Sequence, residues 1–126
     1  MGVFMWLEDN NKPIYKQITA YLEDLIFEKK LNPDDAIPSV RNMSVEFKIN
    51  PQTILKAFNE LINQGIIYKK RGMGMYVTHN ARKLLITRQK KSYLNAELPR
   101  VIKRGINMDI SKSEFKEIID NILKEI

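Results

Sequence analysis

Apolar residues recur along this chain at helical spacing in some stretches and as short β-like runs in others, and the changes between them mark its elements. After Pro13, the residues Ile14, Ile18, Tyr21, Leu22, Leu25 and Ile26 fall on one helical face. The stretch Lys29-Lys30-Leu31-Asn32-Pro33-Asp34-Asp35 ends that helix in a turn. Pro38-Ser39 opens a short second helix, with the Ser39 hydroxyl as its cap and Val40, Met43 and Phe47 on its apolar side. Asn50-Pro51 opens a third. Asn caps well, and Pro is tolerated at the first helical position because that amide has no helical partner. Ile54, Ala57, Phe58, Leu61 and Ile62 form the third helix's stripe, and Gly65 predicts a left-handed end to it.

Two β-like runs follow, Ile66-Ile67-Tyr68-Lys69 and Met75-Tyr76-Val77-Thr78, joined by Lys70-Arg71-Gly72-Met73-Gly74. Two glycines in so tight a connection permit positive φ, which predicts a β-hairpin. From about Asn80 the pattern is helical again. Pro99 is expected to kink or split this segment, and Gly105-Ile106-Asn107 to break it. Ser111-Lys112-Ser113-Glu114 is a capping box that starts a last helix. The predicted fold is mainly α with a small β-wing: a winged helix-turn-helix over residues 1–78, then a two-helix dimerisation tail over residues 79–126. The tail is too short to bury its own apolar positions. Leu94, Leu98, Val101 and Ile102 on one helix, with Phe115, Ile118, Ile119, Ile122 and Leu123 on the other, predict a homodimer whose second copy completes a core.

Charge changes the picture more than composition does. The 126 residues carry a net charge of +6, unevenly spread. Residues 36–91 hold eleven Lys or Arg against two acids, whereas residues 1–35 hold four Lys against seven acids and residues 92–126 are balanced at six each. A polyanion partner for the middle of the chain follows, with a solvated basic face as the plain alternative. No apolar run approaches the ~20 residues that span a bilayer, so no membrane partner is expected. Met1 to Trp6 lack the basic and apolar regions of a secretory signal, and Trp6 stands where a myristoylation signal wants Ser or Thr. There is no Cys and one His, His79, which leaves no disulfide, no thiolate chemistry and no ordinary zinc site. A cytoplasmic location fits.

The third helix carries the chemistry. Its stripe leaves Gln52, Thr53, Lys56, Asn59 and Asn63 facing outward, the face that a helix-turn-helix lays in the major groove. Gln52 can pair bidentately with adenine, Thr53 can donate to a base or phosphate, and Lys56 can neutralise phosphate or reach guanine. The amides at the start of this helix also attract phosphate. Leu55 reads as a rim residue, with contact to a thymine methyl as the alternative. Arg41 lies in the first turn of the short helix, either beside DNA or paired with Asp34 or Asp35. Lys69, Lys70 and Arg71 approach the wing tip, where Gly72 and Gly74 let the backbone come close to a partner. His79 reads as a loop residue, and Tyr15, Tyr21, Phe47, Phe58 and Tyr68 as core or core-edge residues. No catalytic constellation, metal set or phosphate cradle is present, so the chain reads as a non-enzyme without a cofactor. A winged-helix protein-interaction module is the competing reading.

These residues resemble the GntR family of bacterial regulators. The likeness runs from Pro13-Ile14-Tyr15-Lys16-Gln17-Ile18 through Ile37-Pro38-Ser39-Val40-Arg41, Ile49-Asn50-Pro51-Gln52-Thr53-Ile54, Lys56-Ala57-Phe58 and Glu60-Leu61 to Gly65-Ile66-Ile67 and Arg71-Gly72-Met73-Gly74-Met75-Tyr76-Val77. The resemblance implies operator contacts from Arg41, from Asn50, Gln52, Thr53 and Lys56, and from Gly72 and Gly74. Two departures stand out: Lys29-Lys30 and Asp34 replace glycines usual in the family, and Leu55 replaces a usual polar residue. Only about 48 residues follow the wing, which is similar to the YtrA branch. That likeness implies a dimeric repressor of an operon, often one encoding an ABC transporter, bound to a double-stranded DNA operator. The effector is undetermined, and no sizeable ligand pocket is expected in a two-helix tail.

Overall fold

A computed structural model describes residues 12–126. The reading of Met1 to Trp6 as carrying no signal lies outside the described residues. The chain divides into two compact units, one ending at Thr87 and one running from Arg88 to Ile126. In the first, helices α1 (Ile14–Phe27), α2 (Val40–Phe47) and α3 (Pro51–Asn63) precede strands β1 (Ile67–Lys70) and β2 (Gly74–Val77). Helix α4 (Ala81–Ser92) follows. The second unit continues through a π-turn (Tyr93–Glu97), α5 (Leu98–Asn107) and α6 (Lys112–Lys124).

The core of the first unit is built from the predicted stripes. Ile18, Leu22 and Ile26 of α1, Met43 and Phe47 of α2, and Ile54, Ala57, Phe58 and Leu61 of α3 are all buried together. Ile14 is half exposed and does not belong to the core. The caps also form. Ser39 Oγ accepts from the Asn42 amide at 3.0 Å, and Asn50 Oδ1 accepts from the Gln52 amide at 2.8 Å. Gly65, at φ 78°, closes α3, with Gly65 N–H donating to Ile62 and Ile66 N–H to Leu61. The same left-handed geometry ends α1 at Lys29 (φ 64°) and α2 at Lys48 (φ 57°), without glycine.

The wing is an antiparallel hairpin with Ile67 opposite Val77 and Lys70 opposite Gly74. The approach to α2 adds a third, short line of pairing that the sequence patterns do not announce. Asp34 N–H donates to Val77 at 2.8 Å, Val77 N–H to Asp35 at 3.0 Å and Ile37 N–H to Met75 at 3.0 Å. Asp34 takes the left-handed position (φ 66°) expected of it. Its carboxylate then accepts from the Tyr68 hydroxyl at 2.9 Å and lies 2.7 Å from His79 Nε2. His79 is therefore more than a loop residue: it closes a bracket between the turn, β1 and the start of α4.

The winged unit extends past Thr78. Ala81 and Leu85 are fully buried in its core, and Arg82 Nε donates to the Phe27 carbonyl at 3.2 Å while its guanidinium lies over the Phe27 ring. A boundary at residue 78 would strip two apolar side chains from the core, so the compact unit ends nine residues later than the hairpin suggests.

As expected, the helical segment is interrupted at Pro99: a π-turn separates α4 from α5, which begins with Leu98-Pro99. Proline lacks the N–H that would bond to the preceding turn, and the chain absorbs this as a π-turn in which Leu98 N–H donates to Tyr93. The helix ends at Asn107, within the expected Gly105-Ile106-Asn107 break, and Asp109 beyond it is left-handed at φ 63°. Gly105 itself stays helical and is buried beneath Phe115, whose ring would clash with a Cβ at that position. The predicted capping box forms, with the Glu114 amide donating to Ser111 Oγ at 3.2 Å.

Two outcomes follow. Leu85→Ala should destabilise the winged unit by about 2–5 kcal/mol, as for other buried leucines. Urea unfolding measures this, and a near-neutral result would remove α4 from the core. The second concerns acid. The Tyr68 hydrogen bond, then the His79 attraction, hold the Asp34 carboxyl below its usual value. A depressed carboxylate contributes stability above its unfolded pKa and loses it as pH falls through the folded value. Tyr68→Phe should therefore raise the Asp34 pKa in a carbon-13 NMR titration. Its stability deficit should be present at neutral pH and fade at pH below the carboxylate range.

Candidate nucleic-acid interface

Helix α3 presents two faces of opposite character. Ile54, Ala57, Phe58 and Leu61 are buried, while Gln52, Lys56, Asn59 and Asn63 are exposed and Thr53 is half-buried. Leu55 is just over one-third exposed at 37%, consistent with a rim position. The first-turn amides are already used. Pro51 has none, Gln52 N–H donates to the Asn50 side chain, and Thr53 and Ile54 N–H both donate to the Asn50 carbonyl. The start of α3 thus offers side chains to a partner rather than spare amides, and the oxygen of Asn50 is occupied as the cap.

Lys56 is exposed but not adrift. Its ammonium lies 4.1 Å from the centroid of the Tyr15 ring, a cation–π contact between α3 and α1. One turn on, Glu60 forms an ion pair with Lys16 of α1. These contacts fix the roll of α3 against α1 and hold the Lys56 side chain in place. Tyr15 is a positioning residue that sequence spacing alone marks only as a core-edge aromatic.

Arg41 lies exposed in the first turn of α2. The two acids that could neutralise it are engaged elsewhere: Asp34 with Tyr68 and His79, and Asp35 with the Asn32 amide at 2.8 Å. Arg41 forms no ion pair among the described residues. The turn from α2 to α3 is locked by Ser44 Oγ donating to the Ile49 carbonyl at 2.6 Å. It sets out Lys48, an exposed cation that motif reading passed over, because its left-handed position rather than a sequence pattern brings it to the surface. Val45, on α2, is 72% exposed and also escaped notice.

Lys70, Arg71, Gly72 and Gly74 are all exposed at the wing tip. Gly72 (φ 73°) and Gly74 (φ 97°) occupy positive-φ conformations in open space, so glycine is required there by backbone geometry and not by crowding. The tip is stiffened from beneath. Tyr76 stacks on Tyr68 at 5.9 Å, and its hydroxyl donates to the Met73 carbonyl at 3.1 Å. Of the cations that give the middle of the chain its charge, Arg82 is committed to the α1 terminus, while Arg41, Lys48, Lys70 and Arg71 are exposed. Among the described residues no group of acids and histidines could hold a metal ion, and no helix is long and apolar enough to cross a membrane.

The residues read as dimer-forming lie in the second unit. Leu98, Ile102 and Phe115 are half-buried there, and Leu94, Val101, Ile118, Ile119, Ile122 and Leu123 are exposed.

A three-helix core, a polar recognition-type helix and a basic glycine-bent wing are the parts of a winged helix-turn-helix, and comparison with known proteins gives the same answer. Residues 14–77 match the family model described as bacterial regulatory proteins, gntR family. The chain is 34% identical over 108 residues to the HTH-type transcriptional regulator YhcF of Bacillus subtilis, covering 86% of this chain and 88% of YhcF. It is 38% identical over 77 residues to the HTH-type transcriptional repressor YtrA of the same organism, covering 61% of this chain and 59% of YtrA. A transcriptional regulator from Oenococcus oeni superposes with a TM-score of 0.78 at 31% identity, over 90% of this chain and 93% of that one. The chain belongs to the GntR family and is a DNA-binding transcriptional regulator.

Proposed function

We propose that the protein is a homodimeric repressor that reads an inverted-repeat operator with α3 and the wing. The carrying observation is the division of α3 into a fully buried stripe and an exposed polar face, beside Arg41, which forms no ion pair among the described residues. Gln52 and Thr53 reach base edges in the major groove. Asn50, with its side-chain oxygen spent on the cap, has its amide nitrogen for a phosphate. Arg41 and Lys56 neutralise phosphates on either side of the groove, and Lys70 and Arg71 do so at the wing, where Gly72 and Gly74 allow close backbone approach. The likeness to the YtrA repressor supports repression over activation; an ABC-transporter operon as the target rests on the resemblance to that branch alone.

The dimer rests on the tail. Ile118, Ile119, Ile122 and Leu123 of α6 are each about half exposed, at 54%, 45%, 53% and 62%. With Leu94 and Val101, also exposed, the unit leaves these six large apolar side chains in water. A second copy related by a two-fold axis covers them and doubles the reading heads.

Gln52→Ala and Thr53→Ala should each reduce discrimination between the operator and random DNA by about 1–3 kcal/mol. Arg41→Ala and Lys56→Ala should weaken binding to every sequence and flatten its salt dependence. Fluorescence anisotropy across a salt series separates the two classes. Wild-type binding by all four variants would take α3 out of the groove, and binding without salt dependence would favour a protein partner instead. In sedimentation, the full chain should run as a dimer at micromolar concentration. A fragment ending at Thr87 should run as a folded monomer with far weaker operator binding, because it loses the gain in effective concentration. A monomeric full chain would defeat the dimer.

A further inference from the structure

The two-helix unit carries a polar feature that neither the reading head nor the apolar stripe uses. On α5 the apolar positions Leu98, Val101, Ile102 and Gly105 recur at three- and four-residue steps, and Gly105 meets Phe115 of α6. Arg100, Lys103 and Arg104 occupy the other side of that helix. With Asn95, Pro99 and Asn107 they line a shallow surface hollow of about 460 Å³, open over most of its face. Sequence reading expected no sizeable hollow in this unit. It arises beside the π-turn forced by Pro99, and such turns inside α-helices are frequent at functional sites.

The charge of the hollow is unbalanced. No carboxylate is among its lining residues, and Arg100, Lys103 and Arg104 have no ion-pair partner among the described residues. Like charges three and four residues apart on a helix destabilise it. Glu97 stands one turn before Arg100 and the two line a neighbouring hollow, but Lys103 and Arg104 have no acid three or four residues away on the helix. A counter-ion supplied from outside resolves the repulsion. Two guanidinium groups fit the oxygens of phosphate in a way that ammonium groups do not, and the amides of Asn95 and Asn107 flank them for neighbouring hydroxyls. From Arg100 to Arg104 is about 6 Å along a helix axis, which suits one phosphate or pyrophosphate group and not an extended DNA backbone.

We propose that this hollow binds a small phosphate-bearing ligand. The site lies on the side of α5 away from the stripe assigned above to a second copy; on that reading, ligand and dimer partner do not compete. The test is an NMR titration of the nitrogen-15-labelled full chain with pyrophosphate, against chloride at matched ionic strength. Amides of Asn95, Ala96, Lys103 and Asn107 should shift and saturate at millimolar pyrophosphate. Arg100→Gln/Arg104→Gln should weaken that binding by about tenfold or more for each charge-assisted hydrogen bond lost. Lys103→Gln should weaken it less, and Lys90→Gln/Lys91→Gln, an equal loss of charge on α4, should leave it unchanged. Shifts confined to α3 and the wing would overturn the proposal, as would equal affinity in the arginine double variant. A third contrary result is loss of operator affinity in that variant with no pyrophosphate saturation, which would assign the face to DNA. Operator binding without pyrophosphate is expected to be unaffected by the double variant, so failure here leaves the reading of α3 standing.

Discussion

Everything in the winged unit hangs on the exclusion of four α3 side chains from water. Ile54, Ala57, Phe58 and Leu61 are wholly buried, and truncating a residue such as Phe58 to alanine typically costs 3–5 kcal/mol, a large part of a small domain's stability at about 5–15 kcal/mol. A helix has one angular setting at which such a stripe is covered. Once it is covered, the direction of Gln52, Lys56 and Asn59 is decided as well. The proposed reading surface is thus the complement of the core, and it inherits the core's rigidity. The Lys56–Tyr15 and Lys16–Glu60 contacts refine that setting from the rim.

Connections of this unit work through backbone geometry more than through glycine. Lys29, Asp34 and Lys48 all hold left-handed conformations. The strain of a side chain there is modest, on the order of 1–2 kcal/mol per residue. At Asp34 the side chain gives something back, tying Tyr68 and His79 to the turn. That bracket, with the bridge of Ala36 to Tyr76 and the hydrogen bonds of residues 34–37 to β2, ties the two-stranded wing to the turn before α2. A stiff wing can hold Lys70 and Arg71 at a set distance from α3 without paying for their order on binding.

Periodicity carried most of this architecture. The stripes of α1 to α3, the Ser39 and Asn50 caps, the Gly65 terminus and the two bent glycines are local features, and a local pattern suffices to read them. Features that depend on contacts distant in sequence were not legible. Nothing about Leu85 marks it as a member of a core whose other residues, Ala81 apart, precede it by eight positions or more, so the winged unit looked shorter than it is. Asp34 and His79 are 45 residues apart in number but joined in space. Pro99 and Gly105-Ile106-Asn107 mark an interruption and an end that the structure contains, but the form of each was not legible: a π-turn accommodates the proline, and the Phe115 ring needs the absence of a Cβ at Gly105. Among the candidate contacts, the outward face of α3 was legible from its apolar stripe, but the lack of an acid partner at Arg41 was not, since its rival partners had first to be accounted for.

The central claim is that two copies of this reading surface, held by their tails, engage one face of a DNA duplex. Hydroxyl-radical footprinting of the full chain on an operator selected from random-sequence DNA tests it most directly. The account predicts two protected patches related by inverted sequence, their centres about 10–10.5 base pairs or a multiple of that apart on the same face. A single protected patch, or protection spread evenly along the duplex whatever its sequence, would contradict it.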